Sequence, residues 1–123
     1  MRLKPKDIPA FRDQQAQVQG GRCWLCDINL DTVVACLDHD HSSGRIRGVL
    51  CQNCNGIEGK IHNLARRASR GKSVGFYITA VLRYWEHHSM YPKDEFHPTH
   101  KTADEKRIKR NKQARKRRLK KSA

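Results

Sequence analysis

Apolar residues recur at helical spacing near the N-terminus, give way to a short β-rich run, and return to helical spacing after residue 54. Residues 9–19, PAFRDQQAQVQ, predict a short helix: Pro9 suits a first turn, Asp7 can cap it, and Phe11 and Val18 share a side. Gly20 and Gly21 end it. Val33 to Leu37 is β-rich and delivers Asp38, His39, Asp40 and His41 at its end. Ser42, Ser43 and Gly44 supply a turn, and Arg45 to Leu50 returns as a second strand into Cys51. The pattern predicts a hairpin whose loop end displays the Asp-His-Asp-His string.

Beyond Cys54 the period is helical. Asn55, Glu58 and His62 fall within roughly a 60° arc of a helical wheel, with Ile57, Ile61, Leu64 and Ala68 opposite. The apolar side is expected to pack under the hairpin while the polar side faces a ligand. Gly59, beside the polar arc, is read as room for a ligand backbone. Arg66 to Lys72 is a basic connector, and a second helix is predicted from Ser73, its cap, to His88. Its apolar stripe of Val74, Ile78, Val81, Leu82 and Trp85 is broadened by Phe76, Tyr77 and Tyr84. So wide a face reads equally as packing on the core or as a homodimer contact.

Composition sharpens this organisation. At 123 residues with 37% hydrophobic content, the chain fits one small domain that would benefit from a staple. The fold class expected is small α+β: a zinc-stapled hairpin plus helix, with flanking helices and a basic tail. The expected boundaries are residues 1–22 for an N-terminal helical segment, 23–63 for the core, 64–100 for the connector and amphipathic helix, and 101–123 for the tail. No apolar run is long enough to cross a bilayer, and the N-terminus lacks a secretory signal pattern, so no membrane partner is expected and an intracellular location is. Net charge is +14, of which +10 lies in residues 101–123, where 12 Lys or Arg face only Asp104 and Glu105. That segment is predicted to be disordered when free and to contact nucleic acid.

Cys23, Cys26, Cys51 and Cys54 form two Cys-x-x-Cys pairs separated by 24 residues. Tetrahedral zinc takes four thiolates at this kind of spacing, and a closed four-cysteine site is structural, because it leaves no open coordination position. Cys36, inside the apolar run, reads as a small buried hydrophobe.

The second candidate site is the acid and histidine cluster. A hard ion such as Mg²⁺ needs only one or two carboxylates plus substrate phosphates. Asp38 and the Asn55 amide oxygen would make such a sparse site. A neighbouring histidine is the natural base to take a proton from water near neutral pH.

The segments QVQGGRCWLC, LDHDHSSGRIRGVLCQNCN and the following EG resemble the recombination endonuclease VII family of phages, within the HNH or ββα-metal nucleases. The resemblance covers roughly residues 11–63, with a weaker echo through EFHPTH at 95–100. It implies that Asp38 and Asn55 bind catalytic Mg²⁺ (or Mn²⁺), that His39 activates water, and that His41 and Glu58 support the site. It also implies a ββα-metal core, DNA as substrate, a dimer cutting branched DNA, and the host cell's cytoplasm as location if the chain is phage-encoded. On charge and position, Arg45, Arg47, Lys60, Arg66, Arg67, Arg70, Lys72, Arg115, Lys116, Arg117 and Arg118 are candidate DNA contacts. Three functions remain open at this point. They are an endonuclease on branched or distorted DNA, an HNH nicking or homing-type nuclease on ordinary duplex, and a non-catalytic zinc-dependent nucleic-acid-binding module.

Overall fold

The computed structural model describes residues 1–122. It separates into two compact units, Met1–Val81 and Leu82 onward. In the first, a 3₁₀ turn at Pro5–Asp7 runs directly into helix α1, Ile8–Val18. Asp7 already has helical backbone angles, so its side chain makes none of the capping bonds expected of it. Gly20 and Gly21, at φ 80° and 70°, end the helix as predicted. The left-handed conformation there lets the Gly21 N–H reach back to the Ala16 carbonyl at 2.8 Å.

Strands β1, Ala35–His39, and β2, Ile46–Cys51, pair antiparallel as a two-stranded sheet. Leu37 faces Val49 and His39 faces Ile46, so three steps along β2 match two along β1. Arg47 and Gly48 therefore both stand against Asp38, forming a β-bulge. A bulge bends its strand and re-aims a side chain, and this one governs the candidate site.

Helix α2, Gln52–Ala68, starts one residue after β2 ends. The Cys51 sulfur caps it by accepting the Cys54 N–H. Helix α3, Val74–Met90, is capped by Ser73, whose Oγ accepts the Phe76 N–H at 3.1 Å.

The core of the first unit is small. Cys23, Leu30, Val49, Leu50 and Cys51 are buried together, and Ala16, Val33, Ala35, Leu37 and Cys54 pack against them. Cys36 is half-buried opposite Leu50. Full burial of one aliphatic side chain contributes only about 1.5–3 kcal/mol, so a cluster this size needs the cross-link that its cysteines can supply.

Two expectations are corrected here. The apolar side of α2 does not pack under the hairpin: Ile57, Ile61 and Leu64 are 45%, 49% and 65% exposed, while Asn55, Glu58, Gly59 and His62 are half-buried and Ala65 is buried. The polar arc faces inward because its partners on the hairpin are charged and aromatic. The basic tail is also not disordered: helix α4, Ala103–Ser122, occupies nearly all of it. Its Lys, Arg, Gln, Ala and Leu are strong helix formers. Thr102 Oγ1 caps it by accepting the Glu105 N–H, and Asp104 and Glu105 at one end and Lys120 and Lys121 at the other suit the helix dipole.

Gln19 fastens α1 to the hairpin. Its Nε2 donates to the carbonyls of Arg22 and Val49 at 2.8 and 2.6 Å, and its Oε1 accepts the Val49 N–H at 3.1 Å. The side-chain amide thus serves β2 as a missing strand neighbour would. Gln19→Ala is expected to destabilise the zinc-loaded protein by about 1–3 kcal/mol. Gln19→Glu, which keeps the acceptor and loses the donor, should cost at least as much. Chemical denaturation measures both, and wild-type midpoints for the pair would sink the role.

Candidate metal centre and active site

The first Cys-x-x-Cys pair sits in a turn closed by local backbone bonds. The Cys23 N–H donates to the Ile28 carbonyl at 2.9 Å, and the Asp27 N–H donates to the Cys23 carbonyl at 3.0 Å. Asp27 takes φ 64°, a conformation that Asp tolerates better than most residues. The second pair begins at the end of β2 and finishes in the first turn of α2.

All four sulfurs lie within 4.8 Å of one another. Metal–sulfur bonds near 2.3 Å give tetrahedral sulfur–sulfur edges of about 3.8 Å, and Cys26 Sγ stands 3.7 Å from Cys51 Sγ. A disulfide would need about 2.05 Å. Backbone amides reinforce the cluster: Cys51 N–H donates to Cys23 Sγ at 3.3 Å and Cys54 N–H to Cys51 Sγ at 3.4 Å. Burial pushes the Cys23 thiol up, but the amides of Cys26, Cys51 and Leu25 outweigh it and lower its pKa to about 6. Cys54 is pushed up to about 12, chiefly by its hydrogen bond with Cys51. The crowding favours the thiolate at Cys23 and disfavours it at Cys26 and Cys54, which is the condition that a bound cation relieves. The donor set fits a structural zinc ion.

Two rows of side chains run from the hairpin to α2. In the first, Arg47 bridges two carboxylates: Nε donates to Asp38 Oδ2 at 2.8 Å and Nη2 to Glu58 Oε1 at 3.1 Å. Asp38 is only 7% exposed, and its hydrogen bond raises the Arg47 pKa. Glu58 Oε2 is buried without a hydrogen-bond partner. A cavity of about 350 Å³ adjoins this row, lined by Trp24, Leu25, Asp38, Arg47, Gly48, Leu50 and Glu58. Arg47, a candidate DNA contact on charge and position, is held by the bulge against Asp38 and Glu58. Gly48 inside a strand pattern was the available signal for that bulge.

The second row is aromatic. His39 and His41 have ring centroids 5.4 Å apart, and His41 and His62 6.0 Å apart. Glu58 and His62, four residues apart on α2, join the rows along one helix face. His39 and Arg45 also line a groove of about 920 Å³ with Arg2, Ile8, Leu37 and Ile46. His41 Nε2 would lie 4.0 Å from a Cβ built on Gly59, so this glycine sits under a histidine of the site itself.

Asp40 belongs to neither row. Its Oδ1 accepts from the backbone N–H groups of Ser42 and Ser43 at 2.9 and 2.8 Å and from both hydroxyls. These bonds, the Ser43 N–H foremost, hold its carboxyl well below the usual range. A depressed carboxylate contributes stability that is complete above its unfolded pKa and is lost only as pH falls through the lowered value. Asp40 therefore ties the hairpin loop throughout the neutral range.

Asn55 is half-buried one turn before Glu58 on the same face of α2. Its amide oxygen and the Asp38 carboxylate are hard donors, and the partnerless Glu58 Oε2 leaves further oxygen character in the site. The set suits a hard divalent cation with several waters.

A strand hairpin followed at once by a helix, with four cysteine sulfurs placed to hold one zinc ion and Asp, His, Asn and Glu along the hairpin and helix, defines the class: a small α+β protein of the ββα-metal type. The family model described as recombination endonuclease VII matches residues 4–77, and the chain belongs to that family. The Gene 59 proteins of Mycobacterium phages L5 and D29 are each 45% identical to it over 40 residues, 32% of this chain and 24% of each relative. The match thus spans about a quarter of those relatives' length. No described helix is long and apolar enough to cross a membrane.

Stripping the bound metal with a strong chelator should release one zinc per chain and unfold the hairpin–helix junction, with a free-energy loss on the order of 10 kcal/mol. Cys51→Ala should do the same, while Cys36→Ser keeps full zinc content. Metal analysis and far-ultraviolet circular dichroism check this. An unchanged spectrum after complete zinc loss would refute the structural role.

Proposed function

We propose that the chain is a Mg²⁺- or Mn²⁺-dependent DNA endonuclease that hydrolyses phosphodiester bonds in branched or distorted DNA. The observation that carries the reading is the convergence of the Asp38–Arg47–Glu58 and His39–His41–His62 rows on one face of α2, inside the segment matched by the family.

In this reading Asp38 and Asn55 hold the cation. When bound, it supplies Lewis-acid polarisation of the phosphoryl oxygen and stabilises the leaving oxygen. His39 accepts a proton from water, whose oxygen bonds to phosphorus as the bond to the leaving oxygen breaks. His41 and Glu58 orient the scissile phosphate and His39. Arg45, Lys60, Arg66, Arg67, Arg70 and Lys72 contact flanking phosphates, and Arg115, Lys116, Arg117 and Arg118 on α4 add a sequence-independent grip. Residues 23–63 form the nuclease core, residues 1–22 and 64–100 flank it, and the host cytoplasm is the working compartment.

A homodimer fits the exposed apolar surface. Ile57, Ile61 and Leu64 on α2 are open, and Leu25, Ile57, Ile61, Val74 and Ile78 line a cavity of about 530 Å³. Two strands of a junction could then be cut by paired sites.

Cleavage of a synthetic four-way junction and a matched linear duplex tests the reading. With Mg²⁺ the junction should be cut in preference, and His39→Ala should lose about 100- to 10,000-fold in rate. Asn55→Asp should change the metal dependence. Equal cleavage of both substrates would favour nicking of ordinary duplex. Absence of any Mg²⁺-dependent cleavage would leave a zinc-dependent binding module.

Deleting residues 101–123 should weaken DNA affinity and flatten its salt dependence while leaving the hydrolytic rate at saturating DNA intact. Binding titrations at several salt concentrations measure this, and an unchanged slope would rule out a phosphate grip by α4.

A further inference from the structure

The bulge opposite Asp38 places the Arg47 guanidinium between the carboxylates of Asp38 and Glu58. Arg47 engages Asp38 Oδ2 through Nε and Glu58 Oε1 through Nη2, at 2.8 and 3.1 Å, spanning from the hairpin to α2. The guanidinium is planar and forked, so a single side chain can align two carboxylates that belong to different elements. Glu58 Oε2 remains buried and partnerless beside it.

We propose that Arg47 is a positioning residue and built-in counter-cation. It holds Asp38 and Glu58 in register across the hairpin–helix junction and keeps the free protein's affinity for a divalent cation low. The inference rests on the reading of Asp38 as a cation ligand. Two carboxylates and one guanidinium leave a single net negative charge in this partly exposed row, and an incoming divalent cation also meets the arginine's repulsion. A DNA phosphate supplies the missing negative charge and further oxygens, so the ion binds well only when substrate is present. Metal loading is thereby coupled to DNA binding.

This role differs in sign from that of a mere scaffold. Removing a scaffold would loosen the carboxylates and weaken metal binding, whereas removing a counter-cation strengthens it. Free Mn²⁺, followed by electron paramagnetic resonance, is titrated into the zinc-loaded full chain without DNA, using wild type, Asp38→Asn, Arg47→Met and Arg47→Lys. Arg47→Met should bind Mn²⁺ about tenfold tighter, since a repelling unit charge has been removed from a few ångströms away. Arg47→Lys should stay near wild-type affinity, because it retains the charge. Both variants should cleave DNA more slowly at saturating Mn²⁺, because neither can bridge two carboxylates. If Arg47→Met fails to hold one zinc per chain, Arg47→Gln carries the same expectation.

Unchanged or weaker Mn²⁺ binding in the neutral variant, with Asp38→Asn weakening it, would overturn the counter-cation role alone. Mn²⁺ binding indifferent to Asp38→Asn would overturn the cation-ligand reading and this inference with it.

Discussion

Cys51 serves three elements at once: it ends β2, caps α2 by accepting the Cys54 N–H, and places its sulfur 3.7 Å from that of Cys26. Cys51 thus ties strand, helix and the Cys23–Cys26 turn together. The thiolate cluster therefore does more than add stability to a core in which Val49 is the only fully buried large side chain among the described residues. It fixes the angle at which α2 leaves the hairpin, and the distances from Arg47 to Glu58 and from His41 to His62 depend on that angle. Zinc itself would sit outside the chemistry while setting its geometry.

With the junction held by sulfur, the hairpin–helix interface need not be oily. A helix docked by hydrophobic burial alone would turn Ile57, Ile61 and Leu64 inward, yet α2 turns in Asn55, Glu58 and His62. Burying such groups is costly unless they are paired. Glu58 is paired through the Arg47 bridge, and the His62 ring lies against that of His41 in a tilted contact. The displaced apolar residues become surface, leaving α2 a face of the kind that buries itself against a partner. The inward polar face and the exposed apolar face of α2 thus share one cause.

The second unit follows a different logic. Helix α4 carries almost no apolar surface and draws its order from propensity, a Thr102 cap and end charges matched to the dipole. Its like charges repel along its length, a strain that a polyanion relieves.

The sequence by itself determined what depends on local spacing: the two Cys-x-x-Cys pairs, the hairpin between them, the helical period after Cys54, the Ser73 cap, and the glycine stop at Gly20 and Gly21. Each is set by backbone geometry within a few residues, so residue type and order suffice. Tertiary structure alone decided which way α2 faces, that Arg47 serves Asp38 and Glu58, and that Gln19 completes β2. The first two outcomes turn on the one-residue bulge at Arg47 and Gly48 and on the rotation of α2 about its axis. Both arise from balancing contacts between segments far apart in the chain, and local patterning does not encode that balance.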